Sequence, residues 1–286
     1  MEGCQLLILP YMKRCLYALV VLILSVSCAD KPVVIIQIAD AQLGFDAAEK
    51  AKTRGEYVND LTYESELLSV ALAEINGMAP DAVVFTGDQV NRPTDVEQLD
   101  AFDALAAQID TESQVLYIPG NHDVIYSDGN VDVTPFTSRY GDDRFVFQNK
   151  KYCLVGINSN LIKYDDPREE DQFEWMCDVL SSAGEKTVKI IFCHHPFFMT
   201  DIEEEDSYFP IQKAKRQKYF DMFAQMGVDA VYAGHRHDTF EGEYKGIPMK
   251  TSTSVAYQIG KAKPSYRAIV IEGGKIVSDD LHLVNP

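Results

Sequence analysis

Five of the six histidines in this 286-residue chain stand at positions suited to chemistry. His122, His194, His195, His235 and His237 each follow directly on a short apolar run, and Asp40, Asp88 and Asn121 occupy equivalent places. The blocks are Asp40-Ala41-Gln42, Gly87-Asp88-Gln89-Val90-Asn91, Gly120-Asn121-His122-Asp123, His194-His195-Pro196 and Gly234-His235-Arg236-His237. Imidazole nitrogen, carboxylate oxygen and amide oxygen are ligands for borderline divalent metals. In an extended loop, His235 and His237 at i, i+2 can serve different ions, and the two oxygens of Asp88 can bridge them. Two ions about 3.5–4 Å apart clamp both the attacking and the leaving oxygen of a phosphoryl displacement. One such block alone would mean nothing; their succession, each ending a strand, is the informative feature.

The elements that must hold these residues alternate in type. Val33–Ala39, Ala82–Thr86, Val115–Ile118, Leu154–Ile157, Lys189–Cys193 and Ala230–Ala233 are apolar runs of strand length. Between them, Leu68, Ala71, Leu72 and Ile75 share helical spacing and end near Gly77 and Pro80. Thr94 and Glu97 have the spacing of a capping box ahead of Val96, Leu99, Phe102, Ala106 and Ile109. Phe173, Met176, Cys177 and Leu180 mark another helix, and Tyr219, Phe220 and Phe223 a further one closed by Gly227. From Thr239 the pattern is strand-only: Thr239–Tyr244, Met249–Thr253, Arg267–Glu272 and Ile276–Leu283, the last two joined by a Gly273-Gly274 turn. A βα series ending in a β-meander predicts the α/β class. Its expected form is a four-layer α/β/β/α sandwich of two mixed sheets, with the metal site at the strand carboxyl ends.

Composition narrows the partners. With 26 Lys+Arg against 44 Asp+Glu the net charge is −18, which disfavours nucleic acid. At 46% hydrophobic and 10% aromatic residues the chain is too apolar for disorder. The first residues differ from the rest. Met12-Lys13-Arg14 is a basic start, Cys15 to Val26 is apolar apart from Ser25, and Ser27 precedes Cys28. That is the pattern of a lipoprotein signal, so residues 1–27 read as a signal peptide, Cys28 as the lipidation site and 28–286 as one catalytic domain. The alternative is an uncleaved N-terminal anchor. The expected setting is an exported protein of a bacterial cell envelope, reaching the membrane by its lipid anchor only. Cys153, Cys177 and Cys193 lie on apolar segments and read as thiols rather than a disulfide framework.

The ordered set from Asp40 to His237 resembles the calcineurin-like metallophosphoesterase superfamily. The resemblance implies two divalent ions (Mn, Fe, Zn or similar) and an attacking hydroxide between them. By the same resemblance, Asp40 and His237 would hold one metal, Asn121, His194 and His235 the other, and Asp88 would bridge. His122 would be the general acid, with Asp123 orienting it. The family's first motif is usually Asp-x-His, and here Gln42 replaces the histidine. Its amide oxygen either ligates the first metal or leaves a position there to water. A branch described as serine/threonine phosphatases is similar in this Asp-x-Gln form and in Asn158-Ser159. The substrate implied is a phosphomonoester, as a phosphorylated small molecule or a phosphoprotein. Phosphodiesterase or pyrophosphatase activity is the nearest alternative, and a metal-binding interaction protein with weak catalysis is the alternative of another class.

Five features flank these motifs. His195 neighbours a ligand position and reads as structural or substrate-binding. Arg92 and Arg236 stand beside metal motifs, where each either contacts phosphate or joins a surface salt bridge. Phe197–Phe209 mixes aromatics with acids and is either a solvated acidic loop or a specificity element. The loop Phe45–Asp60 could form another wall.

Overall fold

The first strand shows how this chain builds its layers. β1 (Val33–Ile38) is apolar almost throughout, but its side chains alternate between two cores. Val33 and Ile35 face a core between two sheets, while Ile36 and Ile38 face a core under helices. A strand buried on both faces needs both sets, which is why the run is continuous rather than alternating. The computed structural model describes residues 31–110, 112–127 and 129–285. Residues from Lys31 onward form one compact unit. The signal-peptide reading and Cys28 lie outside the described residues. No helix among the described residues is long and apolar enough to cross a membrane.

After β1 come α1 (Phe45–Arg54), α2 (Thr62–Met78), β2 (Ala82–Thr86), α3 (Val96–Ala106) and β3 (Gln114–Ile118). A hairpin of β4 (Ile125–Ser127) and β5 (Asn130–Asp132) follows, then α4 (Thr134–Tyr140), β6 (Phe145–Gln148), β7 (Tyr152–Gly156) and α5 (Ser159–Lys163). The chain continues through α6 (Glu169–Ser182), β8 (Val188–Cys193), α7 (Lys213–Met226) and β9 (Ala230–Ala233). It closes with β10 (Glu241–Tyr244), β11 (Ile247–Thr251), β12 (Ser265–Glu272) and β13 (Lys275–Leu283).

One sheet has the order β13-β12-β1-β2-β3 and the other β10-β11-β9-β8-β7-β6. β1, β2 and β3 run parallel, as do β7, β8, β9 and β11, while β12, β13, β10 and β6 join by antiparallel pairing, so both sheets are mixed. Leu68, Leu72 and Phe102 of α2 and α3 cover the first sheet. Met176, Leu180, Phe220 and Phe223 of α6 and α7 cover the second. Ile35, Val84, Leu154, Ile190 and Tyr232 fill the space between the sheets. This is the expected α/β/β/α sandwich.

Three local expectations are corrected. The cap of α3 is Asp95, whose carboxylate accepts the Gln98 N–H at 3.2 Å, and not Thr94. Phe45–Asp60 is not a loop throughout, because Phe45–Arg54 is the helix α1. The four C-terminal strands are not one meander: β10 and β11 extend the second sheet, while β12 and β13 extend the first. Cys153 and Cys193 are buried, Cys177 is half-buried, and all three are free.

A polar seam aligns the two sheets at their carboxyl ends. Gln37 of β1 donates from Nε2 to Thr86 Oγ1 and to the Ala233 carbonyl, both at 3.1 Å. Its Oε1 accepts from Ser252 Oγ at 2.7 Å. Because Ala233 belongs to the other sheet, this one side chain fixes the register of β1 against β9 just ahead of the site.

Candidate metal centre

The parallel strands deliver their next residues to one place. β1 leads to Asp40 and Gln42, β2 to Asp88, β3 to Asn121 and His122, β8 to His194 and His195, and β9 to His235 and His237. Asp40, Gln42, Asp88, His235 and His237 all have positive φ, between 40° and 69°. L-residues adopt that region at a cost and mostly where surroundings impose it, at functional sites above all. The motif glycines answer to close approach. A Cβ on Gly120 would fall 2.0 Å from Asp88 Oδ1, and one on Gly234 would fall 2.7 Å from Asp40 Oδ2.

Three acceptor-bearing side chains converge on His194 Nε2. Asn121 Oδ1 lies 3.0 Å away, His235 Nδ1 3.1 Å and Asp88 Oδ2 3.3 Å. An imidazole nitrogen carries at most one hydrogen, so three hydrogen bonds cannot satisfy this group. Donor atoms about 90° apart on a shared ion, each bonded at about 2.1 Å, would themselves stand about 3 Å apart. The group Asp88, His194 and His235 therefore has the chemistry and spacing to hold a cation, with ligand atoms all within 4.8 Å of one another. His194 Nδ1 donates to the Thr86 carbonyl at 2.9 Å, which turns the Nε2 lone pair inward.

Beside it, His237 Nε2 lies 3.4 Å from Asp40 Oδ1, and His237 Nδ1 donates to the Tyr257 carbonyl at 2.6 Å. Gln42 Oε1 is buried and has no hydrogen-bond partner. A buried amide oxygen left without a donor is costly unless something cationic meets it. Gln42 thus fits a ligand position of the Asp40–His237 pair.

Charge follows from this packing. Burial alone would lower the His194 pKa, but Asp88 raises it to about 9. Burial would raise Asp88, yet the neighbouring His194 and His122 hold it well below the usual carboxylate range. Burial also opposes charge on His237, and Asp40 raises it above its ordinary value. His195 and His235 are held neutral, chiefly by burial and then by neighbouring histidines.

His122 sits at the edge of the cluster. Its N–H donates to Asp88 Oδ1 at 2.8 Å, and its Nδ1 donates to the Asn91 carbonyl at 2.9 Å, which leaves Nε2 to the cleft. The orienting partner is Asn91 and not Asp123. Asp123 instead accepts three backbone N–H groups, from Asp88 at 2.6 Å, Gly120 at 2.7 Å and Gln89 at 3.0 Å. It staples the loops after β2 and β3 together. Burial, then the charge on Asp88, pushes it up to about 7.

Aromatic rings border the cluster. Phe45 packs 5.6 Å from His237, 6.2 Å from His122 and 5.0 Å from Tyr257. On the other side, Tyr208 and Phe209 lie 5.4 and 5.5 Å from His235. Only this end of the Phe197–Phe209 segment reaches the site. Phe197 and Phe198 are core residues, while Glu204 caps its own loop by accepting from Met199 and Thr200. Arg236 lies over Phe209 at 4.4 Å, and the exposed Arg92 lies over Tyr57 at 3.9 Å. His282 stacks on Tyr266 at 5.3 Å, away from the motifs. Thr86, Asn91 and Tyr257 were not foreseen, because they act through backbone carbonyls that any residue possesses. Phe45 had a usable signal, a lone aromatic three residues after Gln42.

Two mixed sheets with a candidate cation-holding cluster at their carboxyl ends, together with the family match that follows, make this chain a metal-dependent phosphoester hydrolase. The chain belongs to the calcineurin-like phosphoesterase family, whose model matches residues 34–239. It is 30% identical over 264 residues to the Serine/threonine-protein phosphatase CPPED1 of Bos taurus, covering 86% of this chain and 82% of that protein. It is 26% identical to a Probable cyclic nucleotide phosphodiesterase of Rhodococcus erythropolis, covering 67% of this chain and 62% of that protein. Its fold is similar to a dimetal phosphatase from Danio rerio at TM-score 0.59 and 16% identity, covering 88% of this chain and 99% of that one.

Proposed function

We propose that this hydrolase is a two-metal phosphomonoesterase, exported and held at a membrane by lipid on Cys28. The observation that carries the first part is the convergence of Asn121, Asp88 and His235 on His194 Nε2, next to Asp40, His237 and the unpartnered Gln42 oxygen. Asp40, Gln42 and His237 would hold one ion, Asn121, His194 and His235 the other, with Asp88 between them. Two divalent ions supply Lewis-acid charge to the phosphoryl oxygens and lower the pKa of water.

The chain's own residues do the rest. His122 hands a proton from Nε2 to the leaving oxygen, and the Asn91 carbonyl keeps its ring in that orientation. Phe45 walls His122 and His237, and Tyr208 covers His235, so both narrow water's access to the cluster. A monoester agrees with the phosphatase named among the relatives; a diester agrees with the phosphodiesterase.

Protein beginning at Ala29, stripped of metal, is assayed on p-nitrophenyl phosphate and its bis-ester with Mn, Zn, Fe, Co or Mg. Restored monoester hydrolysis that His122→Ala lowers by about 100-fold or more supports the reading. No rescue by any of these ions overturns it, and faster bis-ester turnover favours the diesterase. Elemental analysis gives the number and identity of the ions. A lipid mass on Cys28 and globomycin-sensitive processing support export; a mature protein retaining Met1 or Met12 overturns it.

A further inference from the structure

Ser159 begins α5 directly after β7, and its hydroxyl sits among three nitrogens. Ser159 Oγ accepts the His194 N–H at 3.2 Å and the His195 N–H at 2.9 Å. It also lies 3.1 Å from His195 Nδ1. A hydroxyl oxygen has two lone pairs and one hydrogen. The two backbone donors occupy both lone pairs, so the hydrogen is left for the third neighbour. His195 Nδ1 is then the acceptor, and the neutral ring must carry its own hydrogen on Nε2.

That assignment decides what His195 can do. Its Nδ1 lone pair is engaged and its Nε2 bears hydrogen, so neither nitrogen can ligate a metal. His195 is wholly buried, and Nε2 has no hydrogen-bond partner. The ring lies 4.4 Å from that of His235, whose Nδ1 faces His194 and whose Nε2 is also buried without a partner. Tyr164 packs edge-on to His195 at 5.9 Å. Two neighbouring imidazoles thus hold polar atoms without a protein partner beside the metal cluster, where water or a ligand can supply one.

We propose that Ser159 is a positioning residue that locks His195 as the Nε2–H tautomer, and that this Nε2–H donates to an oxygen of the phosphoryl group held in the site. The proposal rests on the phosphoesterase reading and assigns the phosphoryl contact within it. Were His195 only an anchor for the end of β8, its Nε2 hydrogen would have no bearing on phosphate.

The full-length protein loaded with diamagnetic Zn is tested with inorganic phosphate as the probe, by calorimetry, and with long-range 15N–1H NMR for the tautomer. The expected wild-type spectrum shows His195 protonated at Nε2. Ser159→Ala mixes the two tautomers and weakens phosphate about threefold, while Ser159→Thr restores both. His195→Phe weakens phosphate about tenfold or more at unchanged metal content, and His195→Gln, which keeps an N–H donor, recovers most of that loss. An Nδ1–H tautomer in the wild type overturns the proposal, as does wild-type phosphate affinity in His195→Phe. If His195→Phe fails to fold, the tautomer and phosphate affinity of Ser159→Ala decide. The phosphoesterase reading fails separately, by absence of metal-dependent ester hydrolysis in wild-type protein.

Discussion

Asp40 holds the backbone N–H of His235 with both carboxylate oxygens, at 3.1 and 3.0 Å. The two residues come from different sheets and lie 195 positions apart in sequence. One carboxylate therefore joins the halves of the sandwich while Oδ1 also faces His237. Structure and ligation can be separated at this residue. Asp40→Asn keeps an oxygen for the His235 N–H and loses the charge; it is expected to fold normally and to lose metal. Asp40→Ala is expected to lose about 2 kcal/mol as well, measured by urea denaturation of the metal-free protein. Undiminished metal in Asp40→Asn, by elemental analysis, would remove Asp40 from the centre.

Asp123 is expected to behave as a scaffold residue. Removing the acceptor of three buried backbone N–H groups in Asp123→Ala should cost about 3 kcal/mol or more and disorder the loops after β2 and β3. A residue that only oriented His122 would instead shift the pH–rate profile at nearly unchanged stability. Denaturation and a pH–rate profile on the same variant distinguish the two.

Metal binding is expected to release protons. His194 of the metal-free protein titrates near 9 rather than 6.5, so at pH 7 it is charged and must shed its proton to ligate. From His194 alone, apparent affinity should rise about tenfold per pH unit up to about pH 9, with about one proton released at pH 7, and His237, also raised, adds to the release. For the metal-free fold the sign is the reverse. The charged His194 stabilises fully below its unfolded pKa of 6.5, and that contribution is lost as pH rises through 9. Calorimetry in two buffers of different ionisation heat reads the proton directly; equal heats contradict the prediction.

Gln42 offers a substitution in either direction. Gln42→His should strengthen zinc retention, since imidazole is the better ligand, and Gln42→Leu should lower the metal content at nearly unchanged melting temperature. Identical metal content in all three proteins would place Gln42 outside the coordination set.

Tyr208 is 63% exposed, yet its ring lies over His235. Such a ring can serve as a platform for a planar leaving group. Tyr208→Ala should raise KM for p-nitrophenyl phosphate about three- to tenfold, with kcat changed by less than about twofold. A fall in kcat at constant KM would assign the ring to the chemical step instead.

The strands and the gathering of the motif residues were legible because burial on two faces demands continuous apolar runs, and metal ligation would demand a few residue types. β1, β2, β8 and β9 each end at a motif for that reason. α1 was not legible: its sequence is polar and only Ala47 is buried, so it has almost no apolar stripe. The β4–β5 hairpin is similarly hidden, because Val131 is its only buried residue. The role of Asp123 was misassigned, and that of Asn91 missed, for a different reason. The family resemblance implied that Asp123 serves His122, whereas the loop turns its carboxylate onto backbone N–H groups and brings a carbonyl from the preceding motif to the ring. Which group meets an imidazole depends on loop conformation, and residue type does not encode it.

The place of β12 has a consequence for how the chain can be made. β12 pairs directly with β1, from Val33↔Ile271 to Gln37↔Arg267, yet it is synthesised only after every candidate ligand. A nascent chain that has just passed His237 already carries every candidate ligand. It still presents Val33–Ile38 as an open, apolar strand edge, of the kind that pairs with other chains. Translation stalled or cleaved between His237 and Ser265 should therefore yield aggregates rather than a metal-loaded fragment. The C-terminal hairpin acts as the chain's guard against self-association as much as a part of its architecture.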